Sequence, residues 1–127
     1  MPDKDMLTLL EKFCAAWNAH DIDTLMDCMT PDNCVFYTAI GEGERGAEFR
    51  GPEAVRASFQ AVWERMPDAK WNNARHFVSG NRGSSEWLFT GSTPDGKVKS
   101  VVQGVDLFEF ENGKIRVKDT YRKQRTA

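Results

Sequence analysis

The sequence of 127 residues has little cysteine and less histidine, with three of the first and two of the second. Cys14, Cys28 and Cys34 are odd in number and show neither a CxxC nor a Cys/His spacing. That pattern argues against a disulfide framework and against a zinc site, and leaves the three as reduced, buried small hydrophobes. Long apolar runs are also missing, and the opening MPDKDMLTLLEK carries acids where a secretory leader needs a basic start. A cytoplasmic protein with no membrane partner is expected. There is no surplus of positive charge either, since the formal net charge is -2, and no nucleic acid is expected as a partner. GxSxG and HExxH do not occur. Covalent catalysis, metal hydrolysis and a bound cofactor are therefore not expected.

What is present is an ordinary globular composition, 40% hydrophobic, 28% charged and 11% aromatic. A chain this long buries roughly two-thirds of its unfolded surface and reads as a single domain, 1–127. Met6, Leu10, Phe13, Cys14 and Trp17 recur at helical spacing between Asp3 and Ala19, which predicts an amphipathic helix. Asp21 is placed to cap a second, short helix that stops at Thr30-Pro31. Cys34 to Thr38 is strand-like, GEGERGAEFRG reads as a loop or irregular ribbon, and a third helix is expected from Pro52 to about Met66. From there the period becomes alternating, with turn signals at SGNRGS, TPDGK and ENGK. Four antiparallel strands follow, near 69–79, 84–93, 97–111 and 114–125. The fold class is α+β, a curved sheet with helices on one face.

One side chain breaks the alternation. In GVDLFEFENGKI, Asp106 falls in phase with Phe108 and Phe110, where an unpaired carboxylate costs several kcal/mol. A two-residue turn at Asn112-Gly113 pairs Glu109 with Arg116 and Glu111 with Lys114, and sets Asp119 opposite Asp106. Asp106, Asp119 and Tyr121 then share the helix-facing side. The same arithmetic places Arg75 and Glu86 near that side. It sends His76, Trp87, Phe89, Val101, Val105 and Leu107 to the back, an apolar face that a second copy of the chain would cover.

The segments KFCAAWNAHDIDTLMDCMTPD, FRGPEAVRASF, EWLFTGSTPDG and VVQGVDLFEFENGKI together resemble the SnoaL-like branch of the nuclear transport factor 2-like superfamily. Ketosteroid isomerase, polyketide cyclases, scytalone dehydratase and limonene epoxide hydrolase are members of that superfamily. The resemblance spans nearly the whole chain. It implies three helices on a strongly bent, mostly antiparallel sheet, a cone whose mouth is a ligand site, and a homodimer through the sheet. Fold alone does not assign the chemistry. Against ketosteroid isomerase, which uses a base, a tyrosine and a protonated aspartate, Phe13 stands at the tyrosine and Tyr37 near the base. Only Asp106 is kept, so steroid isomerisation is not expected.

The candidate catalytic residues are Asp106, Asp119, His76 and Tyr37. Asp106 is either a buried acid able to relay a proton or a structural carboxylate tied to Arg75 or to backbone amides. Asp119, if opposite, is a second carboxyl suited to acid/base work, or else a solvated strand-end residue. With Arg75 the two aspartates resemble the water-activating group of limonene epoxide hydrolase. His76 resembles the strand histidines of scytalone dehydratase, although the register points it outward. Tyr37 offers a hydroxyl to orient a carbonyl or a water. Phe13, Trp17, Arg75, Glu86, Phe108 and Tyr121 are the expected pocket lining, around a small apolar organic ligand. The basic run Lys114, Arg116, Lys118, Arg122, Lys123 and Arg125 reads as a solvated strand face.

Overall fold

The computed structural model describes residues 2–126. Three helices, α1 (Asp3–Ala19), α2 (Ile22–Cys28) and α3 (Pro52–Arg65), accompany six strands. These are β1 (Val35–Tyr37), β2 (Glu48–Arg50), β3 (Lys70–Ser79), β4 (Arg82–Ser92), β5 (Lys99–Glu111) and β6 (Lys114–Arg122). All six lie in one sheet in the order β2-β1-β6-β5-β4-β3. Only the β1–β6 pair is parallel, which makes the sheet mixed. The expected α+β arrangement is present, with short β2 formed inside the stretch read as a loop.

Local chemistry accounts for the element ends. The Asp21 carboxylate accepts from the Thr24 backbone N–H at 3.1 Å and caps α2. Pro52 opens α3, where its missing N–H costs nothing. Asn18 ties the end of α1 to β3 by donating to the Trp71 carbonyl at 3.0 Å and accepting from the Trp71 N–H at 2.7 Å.

The helices bury Met6, Leu10, Phe13, Trp17, Leu25 and Phe59 against one face of the sheet. That inner face carries Trp71, Trp87, Phe89, Phe108, Phe110 and Ile115. Burial of each such side chain contributes roughly 1.5–3 kcal/mol, so this face fixes which way every strand residue points.

Three local features set that direction, and two reverse the faces expected from sequence. The loop between β4 and β5 closes with Thr93 N–H on the Val98 carbonyl at 2.9 Å, leaving four residues in the turn. Ser85 therefore faces Asp106, and Glu86 faces Val105. A register shift between Phe110 and Glu109 makes Arg116 the extra residue of a β-bulge in β6. Past it, Asp106 faces Thr120 rather than Asp119, and Phe108 faces Lys118. A second bulge between Asn72 and Arg75, with Asn73 at φ 57°, bends β3. Trp87 and Phe89, expected on the back, are inner-face residues, while Val101, Val105 and Leu107 do lie outside. Phe77, Val101 and Tyr121 are exposed on this outer face.

Candidate functional site

Between α1, α3 and the inner face lies an open cavity of about 340 Å³, within the ~300–1,000 Å³ typical of small-molecule sites. Its wall is aromatic, formed by Trp17 from α1, Phe36 and Phe49 from β1 and β2, Trp71 from β3 and Trp87 from β4. Arg65 and Arg122 are exposed lining residues at the mouth, and buried Lys118 and Thr120 form the floor. A wider cleft of about 920 Å³ runs outside, between the 39–46 loop and the ends of β5 and β6, and its charged lining residues are all exposed.

The floor is a compact polar group inside an apolar shell. Lys118 Nζ lies 3.1 Å from Asp106 Oδ1, with the two side chains 6% and 7% exposed. The ammonium donates to Thr120 Oγ1 at 2.8 Å, and that hydroxyl donates to Asp106 Oδ1 at 2.6 Å. The second carboxylate oxygen accepts from Trp87 Nε1 at 3.0 Å. Gly104 makes this last bond possible. It pairs with Trp87 across the strands, and a Cβ there would collide with the indole ring. Asp106 thus accepts from Lys118, Thr120 and Trp87.

Lys118 has three N–H donors, and Thr120 and Asp106 engage two of them. The Nζ also sits 4.3 Å from the Phe36 ring centroid and 5.3 Å from that of Trp17. Burial among these rings pushes the ammonium below the usual lysine range, and the Asp106 carboxylate opposes that shift. Arg122 stacks its guanidinium 4.4 Å above Phe89 at the mouth. Trp17 is buried, and its Nε1–H has no hydrogen-bond partner among the described residues, so a donor is left over in the wall.

The predicted site residues divide between the two faces. Asp106, Phe13 and Phe108 are on the helix side as expected. They lie under the floor, around a void of only about 10 Å³, and not in the open cavity. Trp17 lines the open cavity. His76 is on the inner side, contrary to the register read from sequence, and its Nδ1 pairs with Ser85 Oγ at 2.7 Å. Burial lowers its pKa, with Glu11 opposing. It does not line the cavity.

Five residues expected inside are outside. Asp119 faces Leu107 and accepts from Arg45 Nη2 at 3.2 Å, because the Arg116 bulge turns it away from Asp106. Tyr37, beside Asp119 in the β1–β6 pair, packs with Val35 and Val117 under Arg45, while Phe36 takes the cavity-facing position. Arg75 and Glu86 are paired with each other and exposed, so no Asp-Arg-Asp group forms. Tyr121 is exposed opposite Val105. The residues that sequence reasoning missed are Lys118, Thr120, Phe36, Trp71 and Arg122. Lys118 alternates with Lys114 and Arg116 in the sequence, and only the bulge between them separates their faces. Among the described residues no group of three or more His, Cys, Asp or Glu side chains gathers to hold a metal. No described helix is long and apolar enough to cross a membrane.

Comparison with known proteins gives a consistent picture. The family described as SnoaL-like domain matches residues 10–117. Among solved structures, Bal32a from a soil-derived mobile gene cassette is 19% identical with a TM-score of 0.84, covering 96% of this chain and 92% of that one. An NTF2-like protein from Mesorhizobium loti is 22% identical with a TM-score of 0.79, over 96% and 93% of the two chains. A protein with a ketosteroid isomerase-like fold from Catenulispora acidiphila, in complex with trimethylamine, is 14% identical with a TM-score of 0.76, over 89% and 83%. At these identities the likeness is one of fold. No curated protein matches the sequence.

Proposed function

The chain belongs to the SnoaL-like domain family, and from that premise we propose that its cone binds a small, flat, largely apolar organic molecule through a carbonyl or carboxylate oxygen. The observation that carries this reading is the buried Lys118 ammonium, which forms the floor of an aromatic cavity with one N–H left for a ligand. A planar ligand matches walls built from Trp17, Phe36, Trp71 and Trp87, and its oxygen completes the donor set of Lys118. Lys118 and Asp106 cancel each other's charge, so Arg65 and Arg122 leave the mouth positive and favour an acceptor or anion.

Chemistry at this site runs without a cofactor in our reading. Lys118 polarises a bound carbonyl and steadies negative charge developing on its oxygen, which suits the isomerase, cyclase, lyase or hydrolase types expected from the resemblance. Asp106 serves by holding Lys118, not by reaching the ligand. A second reading, binding without turnover, is favoured by one observation: among the described residues, the cavity lining contains no Asp, Glu or His to act as a separate base. A second copy of the chain on the apolar outer face, at Phe77, Val101 and Tyr121, is part of the proposal; analytical ultracentrifugation at micromolar concentration checks it.

Titration of the tryptophan fluorescence with 2-naphthoate, 2-acetonaphthone and naphthalene tests the binding claim. Three of the four tryptophans line the cavity, so an occupied cone changes the emission. The oxygen-bearing ligands bind at least tenfold more tightly than the hydrocarbon. Equal affinity for all three would remove Lys118 from recognition.

A further inference from the structure

Lys118 is more than a donor. It is an amine whose proton affinity is lowered by burial, its side chain is only 6% exposed, and the open cavity ends on it. Its nitrogen is 2.8 Å from Thr120 Oγ1, which is itself 2.6 Å from Asp106 Oδ1. A continuous path therefore runs from the amine through a hydroxyl to a carboxylate. Neutralising a buried lysine is the usual way to make it a nucleophile, and no short sequence motif marks such a residue.

We propose that Lys118 condenses with the carbonyl carbon of an aromatic aldehyde or ketone held in the cone, forming a protein-bound imine. This extends the binding reading above and rests on it. The Lys118 ammonium first passes a proton through Thr120 to Asp106, leaving a neutral amine and a neutral carboxyl. The nitrogen lone pair then forms a C–N bond, the carbonyl π pair moves to oxygen, and one N–H proton transfers to that oxygen, giving a carbinolamine. Asp106 returns its proton through Thr120 to the carbinolamine hydroxyl. The C–O bond breaks with its electrons on the departing water, and the nitrogen lone pair closes the C=N bond. The products are a protonated imine beside an Asp106 carboxylate, and one water. Charge and atoms balance without any oxidant, reductant or further reactant. The iminium nitrogen draws electrons from the adjoining carbon, which lets a cavity with no carboxylate base in its lining still activate a bound carbonyl compound.

The test uses the wild-type protein, so it does not depend on a variant folding. The protein is incubated with near-equimolar 2-naphthaldehyde and sodium cyanoborohydride, digested, and each lysine peptide is quantified by mass spectrometry. Lys4, Lys12, Lys70, Lys97, Lys99 and Lys123 are exposed and serve as internal controls. The proposal expects Lys118 to be alkylated at least tenfold faster than any of them, and 2-naphthoate to protect it. If Lys118 reacts no faster than the exposed lysines while 2-naphthoate still binds, imine chemistry is overturned and the binding reading stands. If labelling is uniform and 2-naphthoate does not bind, both fall.

Discussion

Lys118 Nζ and Asp106 Oδ1 lie 3.1 Å apart with their side chains 6% and 7% exposed, and each is the partner that makes the other's burial tolerable. Removing one charge of a buried pair costs about 3–5 kcal/mol, because the other is left uncompensated. Lys118→Met and Asp106→Leu should each lower unfolding stability by about that amount in urea titrations. The double substitution should cost no more than either single one, giving a large favourable coupling in the double-mutant cycle. Additive losses would show that the two side chains act independently.

The pH dependence of stability has a definite sign. The folded state lowers the Lys118 pKa below its unfolded value of about 10.4. Between those two values the unfolded chain therefore binds more protons than the folded one, and stability rises with pH across the window. The contribution is fully present above the unfolded pKa and is lost as pH falls through the folded one. Against the Lys118→Met/Asp106→Leu protein, the wild type should gain stability as pH is raised toward 10. Guanidinium midpoints measured in parallel check this.

Asp119 belongs to the outer face. Its partner Arg45 is more than half exposed while the Asp119 side chain is 11% exposed, and a hydrogen bond to a charged group contributes about 1.5–3 kcal/mol. Asp119→Asn should change stability by no more than that and leave the affinity for 2-naphthoate unaltered. A loss of ligand binding in this variant would return Asp119 to the site.

Arg122 closes the positive mouth over Phe89 and Trp87. Two unit charges about 8 Å apart attract by about 2 kcal/mol at the effective dielectric near a protein surface, and 1.4 kcal/mol is a factor of ten in affinity. Arg122→Ala should weaken 2-naphthoate binding on the order of tenfold and barely affect naphthalene. Calorimetric titration of both ligands separates these effects.

Much of the fold was legible in the sequence because hydrophobic period and turn chemistry are local. The stretch Met6 to Trp17, the Asp21 cap, Pro52 at the start of α3 and the Asn112-Gly113 turn each report on their own neighbourhood. The site was less legible because it depends on which face a strand residue takes, and one extra residue reverses that. In KIRVKDTY the alternation Lys114, Arg116, Lys118 looks like a solvated face, and nothing in the residue types signals that Arg116 is bulged. Asp106 was found because a carboxylate among phenylalanines is anomalous in any register. Its partners were misassigned because they lie beyond the bulge, where the expected Asp119 and Tyr121 give way to Lys118 and Thr120. The turn at TPDGK acts in the same way: it holds four residues where strands at 84–93 and 97–111 leave three, and this reverses the face of Trp87.

The central claim is that Lys118 receives the ligand's oxygen at the floor of the aromatic cone. A crystal structure of the protein grown with 2-naphthoate tests it most directly. The naphthyl ring should lie among Trp17, Phe36, Trp71 and Trp87, with a carboxylate oxygen within hydrogen-bond distance of Lys118 Nζ. A ligand bound in the outer cleft, or one seated in the cone with its carboxylate turned away from Lys118, would contradict the account.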